Sequence, residues 1–113
     1  MAATYVFAAI PVADFAAGRE WYERLMGRPP DLVPNDIEAA WQLTDTGWFY
    51  VIGDADRAGK ALLAVLVDDL KKHVAELAQR GLDVPIDTVP GVGLEAIVTD
   101  PEGNTIKFAQ PDG

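Results

Sequence analysis

Cysteine and serine are both absent from the chain, and histidine occurs once, at His73. Without cysteine there is no disulfide frame, no thiolate nucleophile and no zinc-thiolate cluster, and without serine the usual hydroxyl nucleophile is missing too. Positive charge is scarce: 9 Lys and Arg stand against 18 Asp and Glu, giving a formal net charge of -9. This balance repels phosphate backbones and anionic lipid surfaces, so it predicts no nucleic-acid or membrane partner and favours a cationic small molecule. Long hydrophobic runs are lacking as well. ALLAVLV is far too short to span a bilayer, and the apolar opening MAATYVFAAIPV has no basic stretch before it meets Asp14, so a cytoplasmic protein is expected. There is no glycine-rich phosphate loop, because GVG at 91–93 precedes a strand rather than a helix.

What is present is enough apolar material for a core: 50% hydrophobic residues in 113, with 24% charged, the profile of one globular domain. TYVFAAIPV (4–12) is β-prone and ends at Asp14, an N-cap for FAAGREWYERLMG, in which Phe15, Trp21, Tyr22 and Leu25 recur at helical spacing before Gly27. The second half opens alike. KALLAVLVDD leads to Asp68 and Asp69, then LKKHVAELAQRG carries Leu70, Val74 and Leu77 in helical register and stops at Gly81.

The segments after each helix also match. IEAAWQLTDTGWFYV (37–51) aligns without gaps on LEAIVTDPEGNTIKF (94–108) at a constant offset of 57, so Glu38 falls on Glu95 and Tyr50 on Lys107. Both segments predict strand, turn, strand, the turns being TDTG and DPEG, with Pro101 suited to the second turn position and Gly103 to a positive φ. The proline-bearing stretches RPPDLVPND and LDVPIDTVPGVG suit short edge strands. The expected fold is therefore α+β: two tandem βαβββ modules, about 1–56 and 57–113, in one domain. A ferredoxin-like sandwich also has two helices but leaves at least two of these strands unused.

With this organisation, PVADFAAGREWYERLMGR, AVLVDDLKKHVAELAQRGLDV and above all DPEGNTIKFAQ make the chain resemble the vicinal oxygen chelate superfamily, also called the glyoxalase/bleomycin resistance/dioxygenase group. The resemblance covers nearly the whole chain. It implies a curved, partly open barrel-like sheet around a cleft, frequent homodimers, and a divalent metal held by His and Glu from the first and last strands of each module.

Carried over position by position, that metal quartet becomes Phe7, Tyr50, Leu62 and Lys107. Phe and Leu offer no lone pair and a protonated Lys repels a dication, so no metal and no cofactor are expected. Lys107 stands where the resemblance implies a metal ligand, and it either supplies positive charge to a cleft or snorkels to water along an apolar surface. Strand alternation puts Trp48, Tyr50 and Ile52 on one face, and with Phe7 and Trp41 they form either an aromatic ligand wall or ordinary core. Trp21 and Tyr22 are expected to pack the helix, Glu38 and Glu95 to be exposed strand carboxylates, and His73, beside Lys71 and Lys72, to lie on a solvated surface.

Two functions follow from the residues and the resemblance together. One is a metal-independent small-molecule binding protein of the bleomycin resistance type, a homodimer that sequesters an aromatic antibiotic or metabolite through Phe7, Trp41, Trp48, Tyr50, Leu62 and Lys107. The other is a metal-free lyase or isomerase that uses Tyr50 and Lys107. Burial of Lys107 against a polar partner favours the enzyme, and exposure favours binding or no role.

Overall fold

A computed structural model describes residues 1–112. Its elements run β1 (Val6–Val12), α1 (Phe15–Met26), β2 (Leu32–Asn35), β3 (Glu38–Gln42), β4 (Gly47–Gly53), β5 (Leu62–Leu66), α2 (Leu70–Gln79), β6 (Asp87–Val89), β7 (Gly93–Thr99) and β8 (Thr105–Pro111). The order βαβββ occurs twice, as the repeat predicts. Each module makes one four-stranded sheet, ordered β1-β4-β3-β2 and β5-β8-β7-β6, and neither sheet closes into a barrel. The first and last strands of each module lie side by side in parallel, while the others are antiparallel. The short strands β2 and β6 sit at sheet edges, where the unpaired N–H side tolerates Pro34 and the neighbouring prolines. Neither helix is long and apolar enough to cross a membrane.

The backbone packs as two compact units, one comprising 1–61 with 100–104, the other 62–99 with the residues from 105 onward. In the first unit Asp14 caps α1, its carboxylate accepting from the Ala17 N–H at 3.1 Å, and Gly27 ends the helix in the left-handed region at φ 71°. Tyr22 and Leu25 are buried with Ile10, Val12, Ala39, Trp41, Phe49 and Val51. A Cβ at Gly18 would stand 2.9 Å from Val12 Cγ2, so glycine lets the helix lie close to β1. Burial of rings as large as Trp41 and Phe49 contributes about 2–3 kcal/mol each, and the two stack with centroids 5.4 Å apart.

The turn Asp100–Asn104, which sequence alone presents as a loop signal, belongs to this first unit and carries a buried polar network. Asp100 accepts from the Tyr22 hydroxyl at 2.8 Å, from Asn104 Nδ2 at 2.8 Å, and from the Glu102 and Asn104 N–H groups at 2.9 and 3.0 Å. Asn104 Nδ2 also donates to the Pro11 carbonyl and its Oδ1 accepts from the Ala61 N–H. Glu102 accepts from the Ala13 and Asp14 N–H groups at 2.6 and 3.1 Å, which places a carboxylate at the positive end of α1. Gly103 makes the turn possible at φ 105°.

The second unit repeats the plan with smaller side chains. Asp69 caps α2 by accepting from the Lys72 N–H at 3.1 Å, and the helix ends at Arg80 and Gly81, the latter at φ 82°. Leu70 and Leu77 pack with Ala96, Val98, Ile106 and Phe108, the alternate residues of β7 and β8.

Candidate functional site

Every strand of a sheet covered on one side by a helix presents its other residues outward, and these open faces are where the predicted site residues gather. In the first sheet, register sets Phe7 beside Trp48, Ala9 beside Tyr50 and Pro11 beside Ile52. From β3, Gln42, Ala40 and Glu38 join the same face opposite Trp48, Tyr50 and Ile52. Phe7 stacks on Trp48 with centroids 5.4 Å apart and meets Tyr50 edge-on at 6.4 Å. This aromatic platform remains in contact with solvent, Phe7 being 46% exposed. The Trp48 indole Nε1 is buried and has no hydrogen-bond partner among the described residues. Such an orphaned buried donor is uncommon in native structures. Glu38 is half-buried and accepts from Asn35 Nδ2 at 2.9 Å.

Trp41 does not join this face. It lies opposite Phe49 on the helix-facing side, is 0% exposed, and donates from Nε1 to the Arg28 carbonyl at 3.1 Å. The expectation that Trp41 contacts ligand is corrected: one residue of strand parity separates it from the platform, and its ring is core.

The open face of the second sheet carries Leu62, Ala64 and Leu66 from β5, Thr105, Lys107 and Ala109 from β8, and Thr99, Ile97 and Glu95 from β7, placed together by the strand registers. A concavity of about 310 Å³ opens here, lined by Leu62, Leu63, Ala64, Ile97, Thr105 and Lys107. Lys107 is exposed, and among the described residues its ammonium makes no ion pair and no hydrogen bond. Leu62 and Lys107 therefore meet in one pocket, as Phe7 and Tyr50 meet on one platform. The same offset of 57 that links Tyr50 with Lys107 links Trp48 with Thr105, so the repeat in the sequence also points to Thr105.

The divalent cation implied by the resemblance does not fit these residues. Its four expected positions hold Phe7, Tyr50, Leu62 and Lys107, and among the described residues no three His, Cys, Asp or Glu side chains are grouped to hold an ion. His73 is not the surface histidine its lysine neighbours imply. It is half-buried, its ring lies 4.3 Å from Phe108, and its Nε2 is buried with no partner among the described residues. Burial holds its imidazole below the usual pKa, opposed by the nearby Glu76 and assisted by Arg80.

Comparison with known proteins agrees with this geometry. Residues 4–108 match the family model described as the Glyoxalase/Bleomycin resistance protein/Dioxygenase superfamily. A glyoxalase/bleomycin resistance protein from Catenulispora acidiphila is 29% identical, with 96% of this chain and 98% of that chain covered and a TM-score of 0.90. TnmS3, an antibiotic binding protein from a Streptomyces species, is 25% identical over 99% of both chains with a TM-score of 0.76. A virulence protein from Salmonella typhimurium, 18% identical over 99% of both chains with a TM-score of 0.70, shares the fold. Among curated proteins none matches the sequence.

Proposed function

Because the chain belongs to the glyoxalase/bleomycin resistance protein/dioxygenase superfamily, we propose that it is a metal-independent small-molecule binding protein, one that sequesters an aromatic antibiotic or metabolite. The observation that carries this reading is the platform of Phe7, Trp48 and Tyr50, half-open to solvent, with an indole N–H that lacks a partner. Stacking on such a surface suits a flat ligand. The likeness to TnmS3, an antibiotic binding protein, supports the same class of ligand.

Exposure of Lys107 supports binding over the alternative of a metal-free lyase or isomerase. Acid/base catalysis by lysine calls for a buried, paired ammonium, whereas Lys107 is exposed and has no partner among the described residues. A homodimer belongs to the proposal, since Val6 at 68% and Leu32 at 47% exposure leave apolar surface on the edge strands β1 and β2 that a second copy would cover. Light scattering at tens of micromolar protein should give twice the mass of one chain, and elemental analysis should give well under one equivalent of Zn, Ni, Mn or Fe.

The deciding experiment is a tryptophan-fluorescence titration with bleomycin and with naphthalene, quinoline and acridine compounds. Binding of at least one at micromolar concentration, weakened by about 1–3 kcal/mol in Tyr50→Ala, is the expected result. If none binds below millimolar concentration, or Trp48→Ala and Tyr50→Ala leave affinity unchanged, the reading is wrong.

A further inference from the structure

We propose that the pocket on the second sheet takes the carboxylate of a small organic monoanion with an apolar body, held by the Lys107 ammonium and the Thr105 hydroxyl. The inference rests on the reading of the chain as a small-molecule binder and assigns a charge preference to the pocket of the second sheet. Lys107 is the only Lys or Arg in any of the eight strands, although 18 acidic residues outnumber 9 basic ones in the chain. A lone cation on a sheet face surrounded by Leu62, Ala64 and Ile97 is poorly explained as solubilising charge, because its chain already carries a large excess of charge of the other sign. The ammonium has no counter-ion among the described residues, and no carboxylate lines the pocket.

The face has a polarity that fixes where the anion goes. Thr105 precedes Lys107 by two residues on the same side of β8, next to Leu62. Glu95 lies at the other end, opposite Ala109, with Asp87 beside it across β6. A ligand anion is therefore drawn toward Thr105 and repelled from Glu95, which leaves its apolar part to Leu62, Leu63, Ala64 and Ile97. One ammonium and one hydroxyl match the two oxygens of a carboxylate. A phosphate dianion needs more donors than this pocket supplies. A volume of about 310 Å³ sits at the small end of ligand sites, enough for one or two fused rings.

The test is calorimetric titration of 2-naphthoate, 2-naphthamide and 2-naphthylmethylamine, which share one ring system and differ in head-group charge, with methyl NMR of Leu62 and Ile97 to locate binding. The carboxylate should bind about three- to tenfold tighter than the amide and tighter still than the amine, with a preference that shrinks as salt rises. Lys107→Met should abolish that preference and Lys107→Arg should keep most of it. Thermal melting of each variant verifies folding, which substitution at an exposed position leaves intact. Equal binding of the amide or amine overturns the charge assignment while leaving the binding reading standing. A carboxylate preference that survives in Lys107→Met, or shifts confined to residues other than Leu62 and Ile97, also overturns it. Absence of binding by all three at millimolar concentration overturns it too, whereas failure of the larger aromatic panel on the first sheet is what removes the binding reading.

Discussion

The hydroxyl of Tyr22, midway along α1, donates at 2.8 Å to the carboxylate of Asp100, and 78 residues of chain separate the two. Both side chains are buried, and Asp100 takes three further hydrogen bonds from its own turn. The bond ties the first helix to a loop that lies almost at the end of the sequence.

Tyr22→Phe keeps the ring and removes the donor, leaving a buried carboxylate one bond short. Stability should fall by about 1–3 kcal/mol in urea or guanidinium unfolding. Burial, and next the charge of Asp100, push the Tyr22 phenol well above its ordinary pKa of 10.0. A group raised in the folded state holds its full stabilisation below the unfolded value and loses it as pH climbs above about 10. Wild-type stability should therefore decline above pH 10 more steeply than that of Tyr22→Phe, as read from unfolding midpoints at pH 9 and 11.

His73 offers the opposite sign. Its folded pKa is lowered by burial, so the unfolded chain takes up a proton first, and stability is intact above the usual value of 6.5 and is lost as pH falls from there toward the folded value. Because His73 is the only histidine, its NMR titration is unambiguous. The midpoint should lie below 6.5, and His73→Gln should flatten the stability profile between pH 7 and 5.

Trp41 and Trp48 are seven residues apart on neighbouring strands and should answer differently to the same change. Trp41→Ala empties a fully buried site and should cost about 3–5 kcal/mol, a large share of the stability of a domain this size. Trp48→Ala removes a ring from the open face and should cost markedly less while abolishing stacking ligands. Denaturant midpoints combined with fluorescence titration separate the two effects.

Glu102 joins two N–H groups at the start of α1, so Glu102→Gln should weaken the helix end by about 0.5–2 kcal/mol through lost charge at the helix dipole. Thermal melting should show this loss shrinking in high salt, since both contacts are exposed and the charge term is screened.

The features legible in the sequence are those set by near neighbours. Asp14 and Asp69 cap helices through N–H groups three residues on, and the offset of 57 matches β3–β4 to β7–β8 because each pair is one hairpin. Trp41 was not legible, because Ala39, Ala40 and Trp41 are all buried and the strand shows no alternation to identify its faces. His73 reads from its lysine neighbours as a surface residue, but the ring that covers it, Phe108, comes from a strand 35 residues further along. Asp100 looked like a turn residue and nothing more, because its partner Tyr22 is set by tertiary structure.

The membership of residues 100–104 in the first unit bears on how the chain folds. Residues 62–99, all in the second unit, lie between the first module and the turn that completes it. Until that turn docks, Tyr22 and the first turn of α1 lack the acceptors that complete their packing. Long-range closure of this kind slows folding relative to local pairing. The first helix therefore gains its last buried partner only once a turn 78 positions away has docked, which makes the opening half of the fold depend on a distant segment for its completion.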